Sequence, residues 1–310
     1  MALDVDAVGI LFPGQGAQSI GMGKWLFDNY SVAKSLFVQA AEVLEYDLAE
    51  VCFQGPAERL NATNYCQPAL FVTSMAAMEV LREVQPELIS KVRCTAGLSL
   101  GEYTAVCFAG GLSFEAALRL VQQRGEAMQA AAEQVASGMA SVLGLGLEEL
   151  NAVCEQTRVD DEVLQPANLL CPGNIAVSGH LSAIERLESA AIEAGASRVI
   201  PLAVAGAFHT PLMQPAVNPL REALSLQPPR DTPLPVYSNV DAAPHQDGSE
   251  LHQLLAQQVV NPVRWEDSIR QMMHDGVQGF LEVGTGRVLQ GTIKRIERRF
   301  PAAGFGDGPA

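Results

Sequence analysis

The sequence predicts an α/β fold: a hydrolase-like core with a mostly parallel sheet, plus an inserted ferredoxin-like small domain. Three observations carry this. Gly97-Leu98-Ser99-Leu100-Gly101 joins a short apolar run to a small-residue helical run, the pattern of a nucleophile elbow in which a strand ends, the chain turns and a helix begins. Val8 to Phe12 is a short apolar run leading straight into a glycine loop, Pro13-Gly14-Gln15-Gly16-Ala17-Gln18. Open α/β sheets bind ligands at such strand C-terminal ends. Between residues 139 and 204 the patterns alternate as β-α-β-β-α-β, the ferredoxin-like order. The domain boundaries expected from this are 1–135 with 205–310 for the core and 136–204 for the insert.

Composition agrees with a well-packed enzyme-sized chain. Of 310 residues, 48% are hydrophobic and 18% charged, enough for a substantial core. There is no apolar run of about 18 residues, so no membrane span is expected. The acidic start, Met1-Ala2-Leu3-Asp4, lacks the basic region of a signal peptide. The formal net charge of −15 opposes general binding to nucleic acid or to a membrane surface. Six cysteines (52, 66, 94, 107, 154 and 171) form no CxxC pair and no metal-ligand spacing with histidine. Reduced thiols in the cytoplasm, with no metal, are the expectation.

In order, residues 31–44 carry apolar side chains at helical spacing, and Gln67-Pro68 precedes a second helix over 69–84. Residues 114–132 form a third after the elbow. The insert reads as strand 139–145, helix 147–155, strands 162–170 and 174–178, helix 181–194 and strand 197–204. The loop Gly206-Ala207-Phe208-His209 then enters a helix. A short strand and turn follow at 235–241, helices at 251–260 and 265–274, and a strand at 279–283. A helix over 287–299 has a basic face of Lys294, Arg295, Arg298 and Arg299. The last ten residues, rich in Pro, Gly and Ala, read as frayed.

Ser99 is the candidate nucleophile; a glycine-lined helix cap is the bland alternative. Glycines at 97 and 101 remove Cβ atoms where strand and helix approach. The helix beyond offers free N–H groups and a positive dipole end to a developing oxyanion. A serine needs a base, and there are five histidines. His180 belongs to the insert, His245 to a polar loop, His252 and His274 to helices with polar neighbours. Elimination leaves His209, late in the chain as in hydrolase-like sheets. No Asp or Glu stands out as third member, and a backbone carbonyl can serve instead. Arg124 lies in a largely uncharged helix. It either pairs internally, for example with Glu102, or forks a substrate carboxylate.

The chain resembles the malonyl-CoA:acyl-carrier-protein transacylases and is similar to polyketide-synthase acyltransferase domains. The resemblance rests on residues 12–18, 67–70, 97–103 (Gly-Leu-Ser-Leu-Gly-Glu-Tyr), 123–125, 138–144, 172–173, 207–209, 238–241, 261–263 and 282–284, in family order across about residues 7 to 300. It implies that Ser99 is acylated and that His209 is its base. It also implies that the N–H groups of Gln15 and Leu100 form the oxyanion hole, and that Arg124 pairs with the malonyl carboxylate. Gln258 falls where the family orients the histidine through a backbone carbonyl. Phe208 belongs to the malonyl-selecting version of its loop, too bulky for a methyl branch beside the acyl α-carbon. Leu98 departs from the family's usual histidine, Asn174 from its glutamine and Leu170 from its asparagine.

The implied activity is transfer of malonyl from malonyl-CoA to the phosphopantetheine thiol of acyl carrier protein, in fatty-acid biosynthesis. No bound cofactor is implied. Acyl carrier proteins are acidic, so the basic face at 294–299 is a candidate docking site, with an ordinary solvated face as the alternative. A stand-alone polyketide acyltransferase, a serine thioesterase or hydrolase, and a non-catalytic carrier-binding subunit are the rival readings.

Overall fold

In the computed structural model, which describes residues 3–308, the chain builds two sheets. The larger contains β1 (Val8–Phe12), β2 (Val92–Gly97), β7 (Val236–Tyr237), β8 (Pro244–His245), β9 (Gly279–Val283) and β10 (Ala302–Phe305). Their order is β10-β9-β1-β2-β7-β8, parallel throughout except where β8 pairs antiparallel with β7. β1 is central and buried along its whole length, which is why it reads as an unbroken apolar run. The smaller sheet has the order β4-β5-β3-β6, all antiparallel. Its strands are β3 (Ser137–Leu143), β4 (Leu164–Cys171), β5 (Asn174–His180) and β6 (Arg198–Pro201), with helices Leu147–Thr157 and Leu181–Glu193 between them. This is the ferredoxin-like arrangement.

Glu282 explains itself as the one carboxylate in a fully buried strand. It accepts from the N–H groups of Leu289 and Gln290, both at 3.0 Å. It thus caps the helix Val288–Ile296 with negative charge at its positive end.

Four expectations are corrected. The C-terminal segment is not frayed over 302–305: it adds β10 to the exposed edge of β9, whose backbone groups would otherwise lack partners. The helix expected over 287–299 ends at Ile296. The four basic residues are exposed, but Arg298 and Arg299 lie in the following turn, so they do not share one helix face. The helix expected from Ala69 starts at Thr63, with Pro68 inside it, and this extra turn carries Gln67 into the core. The last strand of the small sheet stops at Pro201 instead of 204. The freed segment lines the cavity described next.

Candidate active site

Ser99 sits between β2 and the helix Leu100–Phe108 with φ 50 and ψ −103, a conformation an L residue adopts only when neighbours hold it there. The holder is Asn239. Its Oδ1 accepts the Ser99 N–H at 2.7 Å and its Nδ2 donates to the Gly97 carbonyl at 2.8 Å. A Cβ on Gly97 would lie 1.9 Å from the Gly101 carbonyl carbon, and one on Gly101 would lie 2.2 Å from the Phe12 carbonyl oxygen. Both glycines are therefore demanded by close backbone approach.

His209 comes from 110 residues further along the chain than Ser99, on the loop that returns from the small sheet. Its Nε2 lies 2.8 Å from Ser99 Oγ, and its Nδ1 lies 3.0 Å from the Gln258 carbonyl oxygen. A carbonyl only accepts, so Nδ1 carries the proton and Nε2 presents its lone pair to the serine hydroxyl. Gln258 opens a 3-10 turn, Gln258–Val260, that ends the helix Gly248–Gln257. Burial first, and the Arg124 charge second, push the His209 pKa down to about 4. The ring is thus neutral, as a base must be.

Arg124 is 1% exposed. Its Nη1 donates to Gln67 Oε1 at 2.8 Å, and its Nη2 donates to Gln258 Oε1 at 2.7 Å and to Ser99 Oγ at 3.0 Å. Its guanidinium carbon stands 5.3 Å from the Tyr103 ring centroid, a cation–π contact. Burial pulls its pKa below the usual arginine value. The internal ion pair with Glu102 does not form, because Gln258 stands between the two: its Nε2 donates to Glu102 Oε2 at 2.6 Å. Among the described residues no carboxylate lies within ion-pair distance of Arg124, and its Nε is buried without a partner. A buried cation facing only neutral oxygens is an incomplete charge pair.

Ser99, Arg124 and His209 open on one cavity, with Gln15 and Leu98 in its wall. Met139, Asn168, Leu202 and Val204 close it from the side of the small sheet, and Phe208 lies beside His209. The amides of Gln15 and Leu100 donate to no acceptor among the hydrogen bonds of the described residues. Leu98 is buried and makes this wall apolar. Asn174 accepts from Ser141 Oγ at 2.8 Å within the small sheet, and Leu170 packs against the core cluster around Trp265. The other four histidines have partners elsewhere: His180 accepts from Val163 N at 2.8 Å, His245 bridges Asp241 and Glu250, His252 lies 3.5 Å from Ser225 Oγ and His274 lies 3.2 Å from Asp275 Oδ1.

Three further residues shape the site: Asn239 and Asn168, to which the sequence assigns no role, and Glu102, which it offers only as an ion-pair partner for Arg124. Asn239 holds the elbow, and its signal was a polar pair, Ser238-Asn239, ending a buried strand. Asn168 puts an Oδ1 with no partner into the cavity region, as Gln15 does with its Nε2; an asparagine inside Ala167-Asn168-Leu169-Leu170 was its signal. Glu102 is wholly buried, and nothing local distinguishes it from a surface residue of a helix's first turn. No group of three or more His, Cys, Asp or Glu side chains fit to hold a metal occurs among the described residues, and no helix there is long and apolar enough to cross a membrane. All six cysteines are buried and unpaired, with thiol pKa values raised by burial.

This geometry has relatives. Residues 10–299 match the acyl transferase domain family. The chain is 41% identical over 302 residues to a malonyl CoA-acyl carrier protein transacylase of Bacillus subtilis, covering 97% of this chain and 93% of that one. Among solved structures it is similar to an acyl carrier protein S-malonyltransferase from Vibrio cholerae, with a TM-score of 0.90, 37% identity and 97% of each chain covered. It is also similar to a malonyl-transacylase in complex with its type II PKS acyl-carrier protein, with a TM-score of 0.91, 36% identity, and 97% and 96% covered. The chain belongs to the acyl transferase domain family and, within it, to the malonyl-CoA–acyl carrier protein transacylases.

Proposed function

We propose that this protein moves a malonyl group from malonyl-CoA to the phosphopantetheine thiol of acyl carrier protein, through a malonyl ester of Ser99, and so supplies fatty-acid biosynthesis. The observation that carries this is the shared hydroxyl. Ser99 Oγ meets both a neutral imidazole at 2.8 Å and a buried, carboxylate-free arginine at 3.0 Å. A serine hydrolase needs the first contact. The second fits an acyl group that ends in a carboxylate.

His209 Nε2 takes the hydroxyl proton as Ser99 Oγ attacks the thioester carbon. The carbonyl oxygen becomes an anion and is held by the amides of Gln15 and Leu100. The carbon–sulfur bond breaks, and the coenzyme A thiolate leaves with the proton from His209. In the second half the carrier thiol gives its proton to His209 and attacks the ester; Ser99 regains the proton. The malonyl carboxylate completes the Arg124 pair throughout. This is polar acyl transfer with malonyl-CoA as substrate, and it draws on no bound cofactor.

The chain is divided on this reading into a core of 1–135 with 205–310 and an insert of 136–204. Support comes from the small sheet's own apolar cluster, built from Ala140 to Val199, and from the cavity lying where the two sheets meet. A cytoplasmic setting is supported by six unpaired cysteines.

Intact-protein mass after brief exposure to malonyl-CoA tests the function. One malonyl adduct is expected on the native chain and none on Ser99→Ala, with discharge on adding carrier protein. Free malonate with no adduct would make the protein a hydrolase. Phe208, 5% exposed, gives a second check. Phe208→Ala should raise methylmalonyl use relative to malonyl by about 10- to 100-fold, the worth of one buried methyl-sized clash. An unchanged ratio of kcat/KM values would remove Phe208 from specificity.

A further inference from the structure

We propose that Glu102 is a positioning residue for this transfer: it orients the Gln258 amide, and through it the substrate-binding face of Arg124. The inference rests on the malonyl-transfer reading and deepens it. Glu102 follows Ser99 by one helical turn and is wholly buried. Its Oε2 accepts from Gln258 Nε2 at 2.6 Å and from the Asn239 N–H at 3.2 Å. Burial raises the Glu102 pKa to about 7; with a proton on Oε1 or with none, Oε2 accepts both bonds. It therefore forces the amide to turn its NH2 inward, toward Glu102 and the Ser99 carbonyl (2.9 Å), and its oxygen outward, toward Arg124. That oxygen receives Arg124 Nη2 at 2.7 Å.

The flipped amide shows what is at stake. With the NH2 group facing Arg124, two donors would meet, and the guanidinium would lose the acceptor that aims it at Ser99. The same glutamine offers its backbone carbonyl to His209 Nδ1. Asn239, the other partner of Glu102, holds Ser99 N–H and the Gly97 carbonyl. One buried carboxylate thus lies behind the nucleophile's turn, the base and the cation, without touching substrate. Its other oxygen, Oε1, has no partner, so the whole hydrogen-bonding effect of the group passes through Oε2.

Three variants separate orientation from mere packing. Glu102→Met keeps the volume and removes the acceptor. Glu102→Asp keeps the charge and withdraws the oxygen from Gln258. Glu102→Gln keeps an acceptor at the same reach. The readout is the ratio of malonyl to acetyl transfer to Ser99, from kcat/KM values with the two CoA esters, alongside thermal melting. The ratio should fall about 10- to 100-fold in the Met and Asp variants, through KM for malonyl-CoA, and return to near the native value in Gln. If Met fails to fold, the Asp and Gln pair still decides. An unchanged ratio in Asp, whatever the melting temperature, would reduce Glu102 to a structural residue. A ratio as low in Gln as in Asp would mean that the charge matters and the amide orientation does not, which also overturns the proposal. The native chain is the control. If it takes no malonyl group, the function reading falls and this one with it; if it does and the Asp variant keeps the native ratio, only the role of Glu102 falls.

Discussion

Replacing His209 by alanine is expected to slow acylation of Ser99 about ten-thousand-fold, with little change in fold. The magnitude follows from what the ring does: a serine hydroxyl without its base is a poor nucleophile, and loss of a member of such a pair costs on that order. The fold should survive because the ring's hydrogen bonds serve the site alone: Ser99 Oγ and the Gln258 carbonyl. Stopped-flow release of coenzyme A from malonyl-CoA reads the loss. A fall of less than about tenfold would mean that another group takes the proton and that the 2.8 Å contact is incidental. The pH profile is a companion check. The His209 pKa lies near 4, and the neutral ring is the active form. Acylation should therefore hold its rate as pH falls from neutrality to about 5, and decline only as pH drops through 4.

Arg124→Ala should lower kcat/KM for malonyl-CoA by about 3–5 kcal/mol, roughly a hundred- to several-thousand-fold, while leaving acetyl-CoA unaffected or better used. The asymmetry is the point. In the variant a malonyl carboxylate would be buried opposite Gln67 and Gln258 with no cation, whereas an acetyl group brings no charge to bury. Equal losses for both esters would deny Arg124 the carboxylate. The variant also carries a signed pH effect. Arg124 depresses the His209 pKa by like-charge repulsion, so its removal should move the acid limb of the acetyl-CoA profile upward, toward the ordinary histidine value. A limb that stays near 4 would assign the depression to burial alone.

Much of the fold was legible because its elements are locally encoded. The buried run Val8–Phe12, the helical spacing of 31–44 and the β-α-β-β-α-β order each need only neighbouring residues to be read. Where the reading failed, distant partners decided. Ala302–Phe305 looks frayed in isolation and becomes a strand because β9 offers an open edge. Pro68 looks like a helix boundary, yet the helix begins five residues earlier and continues through it. The basic residues 294–299 lose their common face because the helix stops at Ile296.

The sequence by itself determined the elbow, the two glycines that its backbone contacts require, and the presence of one serine, one well-placed histidine and one buried arginine. Those follow from local geometry and from the rarity of such residues in apolar surroundings. Only the tertiary structure decided how they are joined. It put glutamine oxygens instead of a carboxylate on Arg124, and Glu102 behind Gln258. The physical reason is that these hydrogen bonds link residues 57, 134 and 156 positions apart. A hydrogen bond depends on direction and on distances of about 3 Å, which hydrophobic periodicity along a chain does not carry.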